Sequence, residues 1–155
     1  MENIDYETEL EKIYNQIGEA RIMPLATSSK DHTTVRMMSC INYKNKIIFQ
    51  TGTDLLKYKQ ICENNNVALC VDNIQIEGTA HIIGSWLKKE NKEMLELYLK
   101  HYGKSYETYS KSDKEIAIEI IPVQIIKWEY ENGRPYRIFI NLTEKTIKQE
   151  TYILE

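Results

Sequence analysis

Three segments of the chain place apolar residues at the three- and four-residue spacing of an amphipathic helix. The first has acidic residues in its opening turns and is followed by Gly18, as is typical of a helix that ends at a glycine. The pattern predicts helices at residues 5–17, between Gly52 and Asn64, and at residues 88–102. Thr53 or Asp54 is expected to cap the second helix, and Gly103 is expected to end the third, with a polar loop over residues 104–114.

Most of the remaining chain alternates apolar and polar residues with a period of two, which indicates β-strands. The predicted strands span residues 22–26, 35–43, 46–51, 67–71, 78–84, 115–121, 123–130, 136–141 and 146–152. Asn132-Gly133 predicts a tight hairpin, whereas Pro122 is expected to interrupt a strand. Because most connections are too short for parallel crossovers, we expect a mainly antiparallel barrel with helices packed outside it, in a single domain spanning residues 1–155.

The composition is that of a soluble globular protein, with 155 residues of which 42% are hydrophobic and 28% are charged. With a formal net charge of −3, the chain lacks the excess of positive charge that is typical of general nucleic-acid-binding proteins. No apolar stretch approaches the roughly 20 residues that span a bilayer, and no secretory leader is visible, so we expect a cytoplasmic protein without a membrane partner. The three cysteines form no pattern typical of a disulfide framework or a zinc site, and no metal is expected.

A candidate anion site lies between Arg36 and Lys57. The chain has four arginines, and Arg36 stands alone in an apolar predicted strand, where a buried guanidinium needs an anionic partner. The next strand ends in Gln50-Thr51, and the helix after Gly52 carries Lys57 in its first turn. Free N–H groups at a helix N-terminus, hydroxyl groups and a lysine together favour phosphate binding. An exposed edge arginine and an ordinary surface lysine are the alternative interpretation.

Five runs of residues in this region carry a resemblance to a known family. They are Pro24–Thr27, Arg36 with Ser39, Ile48–Lys57, Asn66–Asp72 and Ile76–Ala80. In this order and at these spacings, they resemble the FMN-binding split barrel of the pyridoxamine 5′-phosphate oxidase family. The resemblance implies a mainly β fold, a six-stranded antiparallel split barrel of Greek-key type with flanking helices. It also implies a homodimer that holds flavin mononucleotide (FMN) in clefts at the subunit interface.

The resemblance also implies roles for individual residues. It assigns Arg36 and Lys57 to the FMN phosphate. It implies that the backbone of Met37, Met38 and Ser39 runs beside the flavin ring. It also implies that Gln50 and Thr51, on the next strand, contact the ring or the phosphate. Trp128 lies where members of the family often place an aromatic side chain near the flavin, and ordinary core or dimer packing is the other interpretation of this residue.

The chain departs from the family's pattern at its C-terminal end. True pyridoxamine phosphate oxidases carry a basic motif with Arg and His there, which this chain lacks, so the resemblance does not extend to oxidation of vitamin B6. It implies instead an FMN-dependent oxidoreductase that reduces a small electrophilic or aromatic substrate with electrons from a nicotinamide donor, NAD(P)H. Tyr106, Tyr109 and Tyr136 are candidates to line the substrate cleft, with surface tyrosines as the alternative.

Two other functions remain open on the sequence. A non-catalytic flavin-binding or stress-linked module is the first alternative, because no substrate motif is recognisable. The same fold holding a deazaflavin or heme is the second. No catalytic side chain is assigned, because flavin hydride chemistry is carried by the cofactor and needs no protein base.

Overall fold

A computed structural model describes residues 4–152, which form mainly β-strands. The helices are α1 (Tyr6–Ile17), α2 (Leu56–Glu63) and α3 (Lys92–Tyr109), with a short 3-10 turn at Lys89–Asn91. The strands are β1 (Ala20–Ser29), β2 (His32–Tyr43), β3 (Lys46–Gly52), β4 (Asn66–Val71), β5 (Ile74–Gly84), β6 (Glu115–Glu131), β7 (Arg134–Asn141) and β8 (Thr146–Thr151). Within the described range, no helix is both long and apolar enough to cross a membrane.

Six of the strands form a closed antiparallel barrel. They are hydrogen-bonded in the order β3-β2-β1-β4-β5-β6, and a further pairing of β3 with β6 closes the ring. β3 pairs with β2 only through residues 46–48, whereas it pairs with β6 through residues 47–52. The barrel is therefore split between β2 and β3, and the predicted fold, a six-stranded antiparallel split barrel with flanking helices, is confirmed.

Beyond the barrel, the sheet continues as an arm made of the second half of β6 with β7 and β8. The predicted turn at Asn132-Gly133 joins β6 to β7, and both residues have positive φ, 51° and 76°. Positive φ at both central positions is the geometry of the type I′ hairpin turn, whose twist matches that of the flanking strands.

The chain's own side chains fill the barrel. Inward-facing positions of all six barrel strands contribute to one core cluster, and α1 adds Ile13 and Ile17 to it. The cluster includes the fully buried side chains Met23, Leu25, Phe49, Leu69, Ile76, Ile118 and Ile120. A six-stranded barrel filled in this way has no interior space for a large ligand, so a binding site must lie on its surface.

α3 does not end at Gly103 as predicted. It continues through the predicted loop to Tyr109, with a kink at Tyr102, whose φ of −131° and ψ of 32° are not helical. The Tyr102 hydroxyl donates a hydrogen bond to the carbonyl oxygen of Cys40 at 2.9 Å, and its ring lies 5.2 Å from that of Tyr98. These tertiary contacts hold the kinked segment against β2, and they outweigh the local tendency of glycine to stop a helix.

β6 likewise does not stop at Pro122. Pro122 lies opposite Gly78, where the register between β5 and β6 shifts, and at such an irregularity the N–H that proline lacks is not needed. Gly78 is required at the same point, because a Cβ there would come within 2.8 Å of the carbonyl oxygen of Ile121. β6 is therefore a single strand, and β5 begins at Ile74, four residues before its predicted start.

Candidate cofactor site

A cleft of about 390 Å³ opens on the surface where β2 and β3 separate. β2, β3, the start of α2, α3 and the first residue of β6 all contribute side chains to it. Six of the residues predicted for the cofactor site line this cleft, namely Met37, Met38, Ser39, Gln50, Thr51 and Lys57. Tyr109, a predicted cleft residue, also lines it, because α3 extends beyond the kink.

Gln50 lines the cleft, and its side chain carries an unsatisfied acceptor. Its side-chain nitrogen donates to the Ser110 hydroxyl at 3.1 Å and to the Glu115 carboxylate at 2.9 Å. Because a carboxylate only accepts, these bonds fix which end of the amide is the nitrogen. The side-chain oxygen is buried and has no hydrogen-bond partner within residues 4–152. A buried acceptor without a donor is costly, so this position fits a ligand that carries an N–H group.

α2 begins beside the cleft without a side-chain cap. Leu55 occupies the N-cap position and no side chain caps the helix, so the predicted cap by Thr53 or Asp54 is wrong. The backbone N–H of Leu55 instead donates to the Gly52 carbonyl at 3.2 Å, and this tight turn brings an apolar residue to the cap position. Among the described residues, no side chain accepts from the first N–H groups of α2, which is the arrangement that binds anions.

Lys57 is partly buried in the first turn of α2. Within residues 4–152 it forms no ion pair with a carboxylate. Burial lowers the pKa of its ammonium group below the ordinary value, nearby Arg36 lowers the pKa further, and Glu115 opposes both. The surroundings thus disfavour the charge of Lys57, and a bound anion would remove that penalty.

Arg36 lies beside Lys57, behind the cleft lining. Its guanidinium donates to the carbonyl oxygen of Leu25 at 3.2 Å, to the Thr27 hydroxyl at 2.7 Å and to the Thr34 hydroxyl. Among the described residues it has no carboxylate partner either, and burial lowers its pKa. Arg36 is thus ordered by neutral groups and keeps its charge uncompensated.

Trp128 lies elsewhere, on the arm, and does not line this cleft within its own chain. The guanidinium of Arg137 lies 5.0 Å from the centre of its ring, and the Tyr152 ring lies 6.0 Å away. Of the other predicted cleft residues, Tyr106 packs in the small core cluster between α3 and β2, and Tyr136 packs against the main core.

Sequence reasoning missed four residues that support the site, namely Thr34, Gln60, Ser110 and Glu115. Gln60 follows Lys57 by three residues, and this helical spacing is a signal that places both on one face of α2. Ser110 and Glu115 gave no such signal, because Ser110 lies within the segment that was predicted to be a loop and Glu115 directly follows it.

The fold and the cleft together define a split-barrel protein with a candidate anion site on its surface. The sequence profile described as pyridoxamine 5′-phosphate oxidase matches residues 9–129, most of the chain. The chain belongs to this family, and the resemblance inferred from its motifs is confirmed. No curated protein sequence matches the chain significantly.

Three solved structures with the same fold cover 86% to 99% of the chain. PhzG from Burkholderia lata 383, in complex with tetrahydrophenazine-1-carboxylic acid, is 14% identical, with a TM-score of 0.70 over 99% of this chain and 94% of that one. General Stress Protein 26 from Bacillus anthracis str. Sterne is 21% identical, with a TM-score of 0.63 over 86% of this chain and 98% of that one. A pyridoxamine 5′-phosphate oxidase-related, FMN-binding protein from Nostoc punctiforme PCC 73102 is 16% identical, with a TM-score of 0.58 over 96% of this chain and 95% of that one. At these identities the likeness concerns the fold.

Proposed function

We propose that the chain binds FMN in the cleft between β2 and β3. The phosphate binds Arg36, Lys57 and the first N–H groups of α2, and the flavin ring lies against β2 and β3. Gln50 accepts a hydrogen bond from the ring N–H, and Met37, Met38, Ser39 and Thr51 complete the contacts. The observation that carries the proposal is the pair of adjacent cations beside an uncapped helix N-terminus, with no carboxylate partner among the described residues. A phosphate dianion would pair with both cations and accept hydrogen bonds from the free N–H groups of the helix.

The proposed reaction is the reduction of a small electrophilic or aromatic substrate with electrons from a nicotinamide donor. Bound FMN supplies the hydride chemistry, and the chain's residues bind it, orient it and exclude water. Tyr109, which is 61% exposed, gives the cleft an aromatic side chain on which a planar substrate can pack. The relative PhzG was solved with tetrahydrophenazine-1-carboxylic acid, which supports a small organic substrate.

The functional unit in this proposal is a homodimer. An apolar face on the outside of β1 and β2 exposes Ile22, Val35 and Met37 at 55%, 65% and 62%. A shallow groove of about 460 Å³ continues this face across β4, β5 and β6, with Ala26, Ala68 and Val123 in its lining. Exposed apolar surface of this kind marks an interaction site. Because Met37 also lines the cleft, a second copy seated on this face would complete the flavin site, and we assign the flavin contact of Trp128 to the partner's cleft.

Val35→Asp is expected to convert the dimer to a monomer and to lower FMN affinity. The side chain of Val35 is largely exposed in the single chain, so the aspartate charge disturbs the contact with a second copy and not the fold of the chain itself. Analytical ultracentrifugation gives the mass, and the thermal midpoint verifies folding. Leu87→Asp is the matched control, since Leu87 is 78% exposed outside this face, and it should leave mass and affinity unchanged. A monomeric wild type, or a Val35→Asp dimer with full affinity, would contradict the proposed assembly.

The flavin proposal is tested on the purified full chain. We expect a flavin absorption spectrum, release of FMN on denaturation with the matching mass, and tighter binding of added FMN than of riboflavin, which lacks the phosphate. A colourless protein that binds neither compound would overturn the proposal. A released mass matching deazaflavin or heme would reassign the ligand.

A turnover experiment distinguishes an FMN-dependent oxidoreductase from a non-catalytic flavin-binding module. The FMN-loaded protein is mixed anaerobically with NADH or NADPH, and loss of the oxidised flavin spectrum is followed. Reduction by the donor and reoxidation by an electrophilic or aromatic acceptor support the oxidoreductase. If no donor reduces the bound flavin, the chain is a flavin-binding module instead.

A further inference from the structure

Gln60 lies on α2 one turn after Lys57 and is almost completely buried, with 1% of its surface exposed. Its side-chain nitrogen donates to the carbonyl oxygen of His32 at 3.0 Å. Because that carbonyl only accepts, the amide nitrogen must face it, and the amide oxygen faces the other way. This oxygen accepts hydrogen bonds from the hydroxyl groups of Thr27 at 2.6 Å and Thr34 at 2.7 Å.

These bonds fix the directions of both hydroxyl protons. A hydroxyl has one proton, so once it points at Gln60 the oxygen offers only lone pairs to its other neighbours. The other neighbour of both oxygens is Arg36, whose Nη1 donates to Thr27 at 2.7 Å and whose Nη2 donates to Thr34. The two hydroxyl oxygens lie 3.3 Å apart, and with both protons committed neither donates to the other. Gln60 therefore makes both threonines acceptors for Arg36.

The threonines occupy only one of the two donor edges of the guanidinium. Nη1 and Nη2 form the end-on edge, which Thr27 and Thr34 fill, and Nη1 also donates to the Leu25 carbonyl. The side-on edge consists of Nε–H and the second N–H of Nη2. Within residues 4–152, Nε makes no hydrogen bond. A planar fork of two parallel N–H groups matches two oxygens of a phosphate.

We propose that Gln60 is a positioning residue for phosphate binding, which acts through Thr27 and Thr34 to hold Arg36 by its end-on edge and leave the side-on edge open to a phosphate. The inference rests on the proposed function, because it needs a phosphate-bearing ligand at Arg36 and Lys57. Gln60 does not touch that ligand. Without its acceptor oxygen, one hydroxyl is free to donate to the other, the protons are free to turn toward the guanidinium, and the arginine loses its fixed orientation.

The test compares FMN with riboflavin, which share the ring and differ in the phosphate. In Gln60→Leu, which keeps the bulk and removes the amide, the Kd for FMN is expected to rise about tenfold, the usual effect of one charge-assisted contact. The Kd for riboflavin is expected to stay unchanged, because Arg36 makes no contact with the ring. Both constants come from quenching of flavin fluorescence on binding.

Two double variants keep the test independent of how well Gln60→Leu folds. The first, Thr27→Val with Thr34→Val, removes both hydroxyl groups and keeps the branched shape. It is expected to weaken FMN binding without changing riboflavin binding. The matched control, Thr27→Ser with Thr34→Ser, keeps both hydroxyl groups and is expected to restore the wild-type preference for FMN.

Each outcome decides the inference. The inference is supported if Gln60→Leu and the double valine variant lose affinity for FMN but not for riboflavin, and if the double serine variant binds FMN as wild type does. Equal weakening of FMN and riboflavin would show a merely structural role and overturn it, as would no change in either. If these variants leave FMN binding intact while Arg36→Ala weakens it, the inference fails and the proposed function stands. If wild type binds FMN no better than riboflavin, the phosphate site fails and the inference fails with it.

Discussion

The double variant Arg36→Ala with Lys57→Ala is expected to bind FMN about 3 kcal/mol more weakly than wild type, on the order of a hundredfold in Kd, because each removes one charge-assisted contact of roughly 1.5 kcal/mol or more. Riboflavin affinity should stay within about twofold, since no phosphate contact is lost. Isothermal titration calorimetry with the two flavins measures both values.

The unliganded single variant Lys57→Ala should be no less stable than wild type. In wild type, burial lowers the pKa of Lys57, and the neighbouring arginine lowers it further, so the two cations oppose each other when no anion is bound. The control for the double variant is Lys89→Ala with Lys92→Ala, which also removes two positive charges, from exposed positions outside the cleft and away from the arm. If the control weakens FMN binding as much, or if the site variant binds FMN normally, the phosphate lies elsewhere.

Phe49→Ala is expected to lower the free energy of unfolding by about 3 to 5 kcal/mol, the usual cost of emptying a fully buried phenylalanine site. Phe49 has no exposed surface, lies in the main core cluster inside the barrel and pairs in register with Ile118 of β6. The cavity would form where β3 closes the ring, so closure itself is weakened. Urea denaturation followed by circular dichroism gives the value.

Phe139→Ala is the matched comparison for this stability prediction. Phe139 lies on β7, outside the barrel, where its ring is partly exposed and contacts Arg137 at 5.0 Å and Lys148 at 5.2 Å. Its loss should cost about 1 kcal/mol, since exposed cation–π contacts are weak. A Phe49→Ala cost near that of Phe139→Ala would mean that the barrel relaxes around the cavity.

Most of the fold was predictable because its signals are local. Period-two alternation identified the strands, and Asn132-Gly133 identified its hairpin, since an unusual positive φ at both positions needs these residue types. The errors occur where tertiary contacts decide. Pro122 stays inside a strand because the ladder shifts opposite it, and α3 passes Gly103 because the Tyr102 hydroxyl is held by β2. Neither partner is visible from the local sequence.

The part of the candidate site that comes from one continuous stretch of sequence, residues 36–57, was predictable. Residues 37–39, Gln50, Thr51 and Lys57 lie on β2, β3 and the start of α2, and the split between the strands brings them to one cleft. Glu115 and Ser110, which orient Gln50, come from a distant part of the chain and meet it only through the pairing of β3 with β6. Such contacts depend on topology, which pattern reasoning does not resolve to single residues.

The kink in α3 divides that helix into two parts with different relations to the barrel. The part before the kink carries the buried residues Met94 and Tyr98, whereas no residue from Gly103 to Tyr109 is fully buried. Yet this second part supplies Ser105 and Tyr109 to the cleft. Substitutions there change what the cleft contacts at little cost to the packed barrel. In evolutionary terms, the lining of the cleft can drift independently of the stability of the fold.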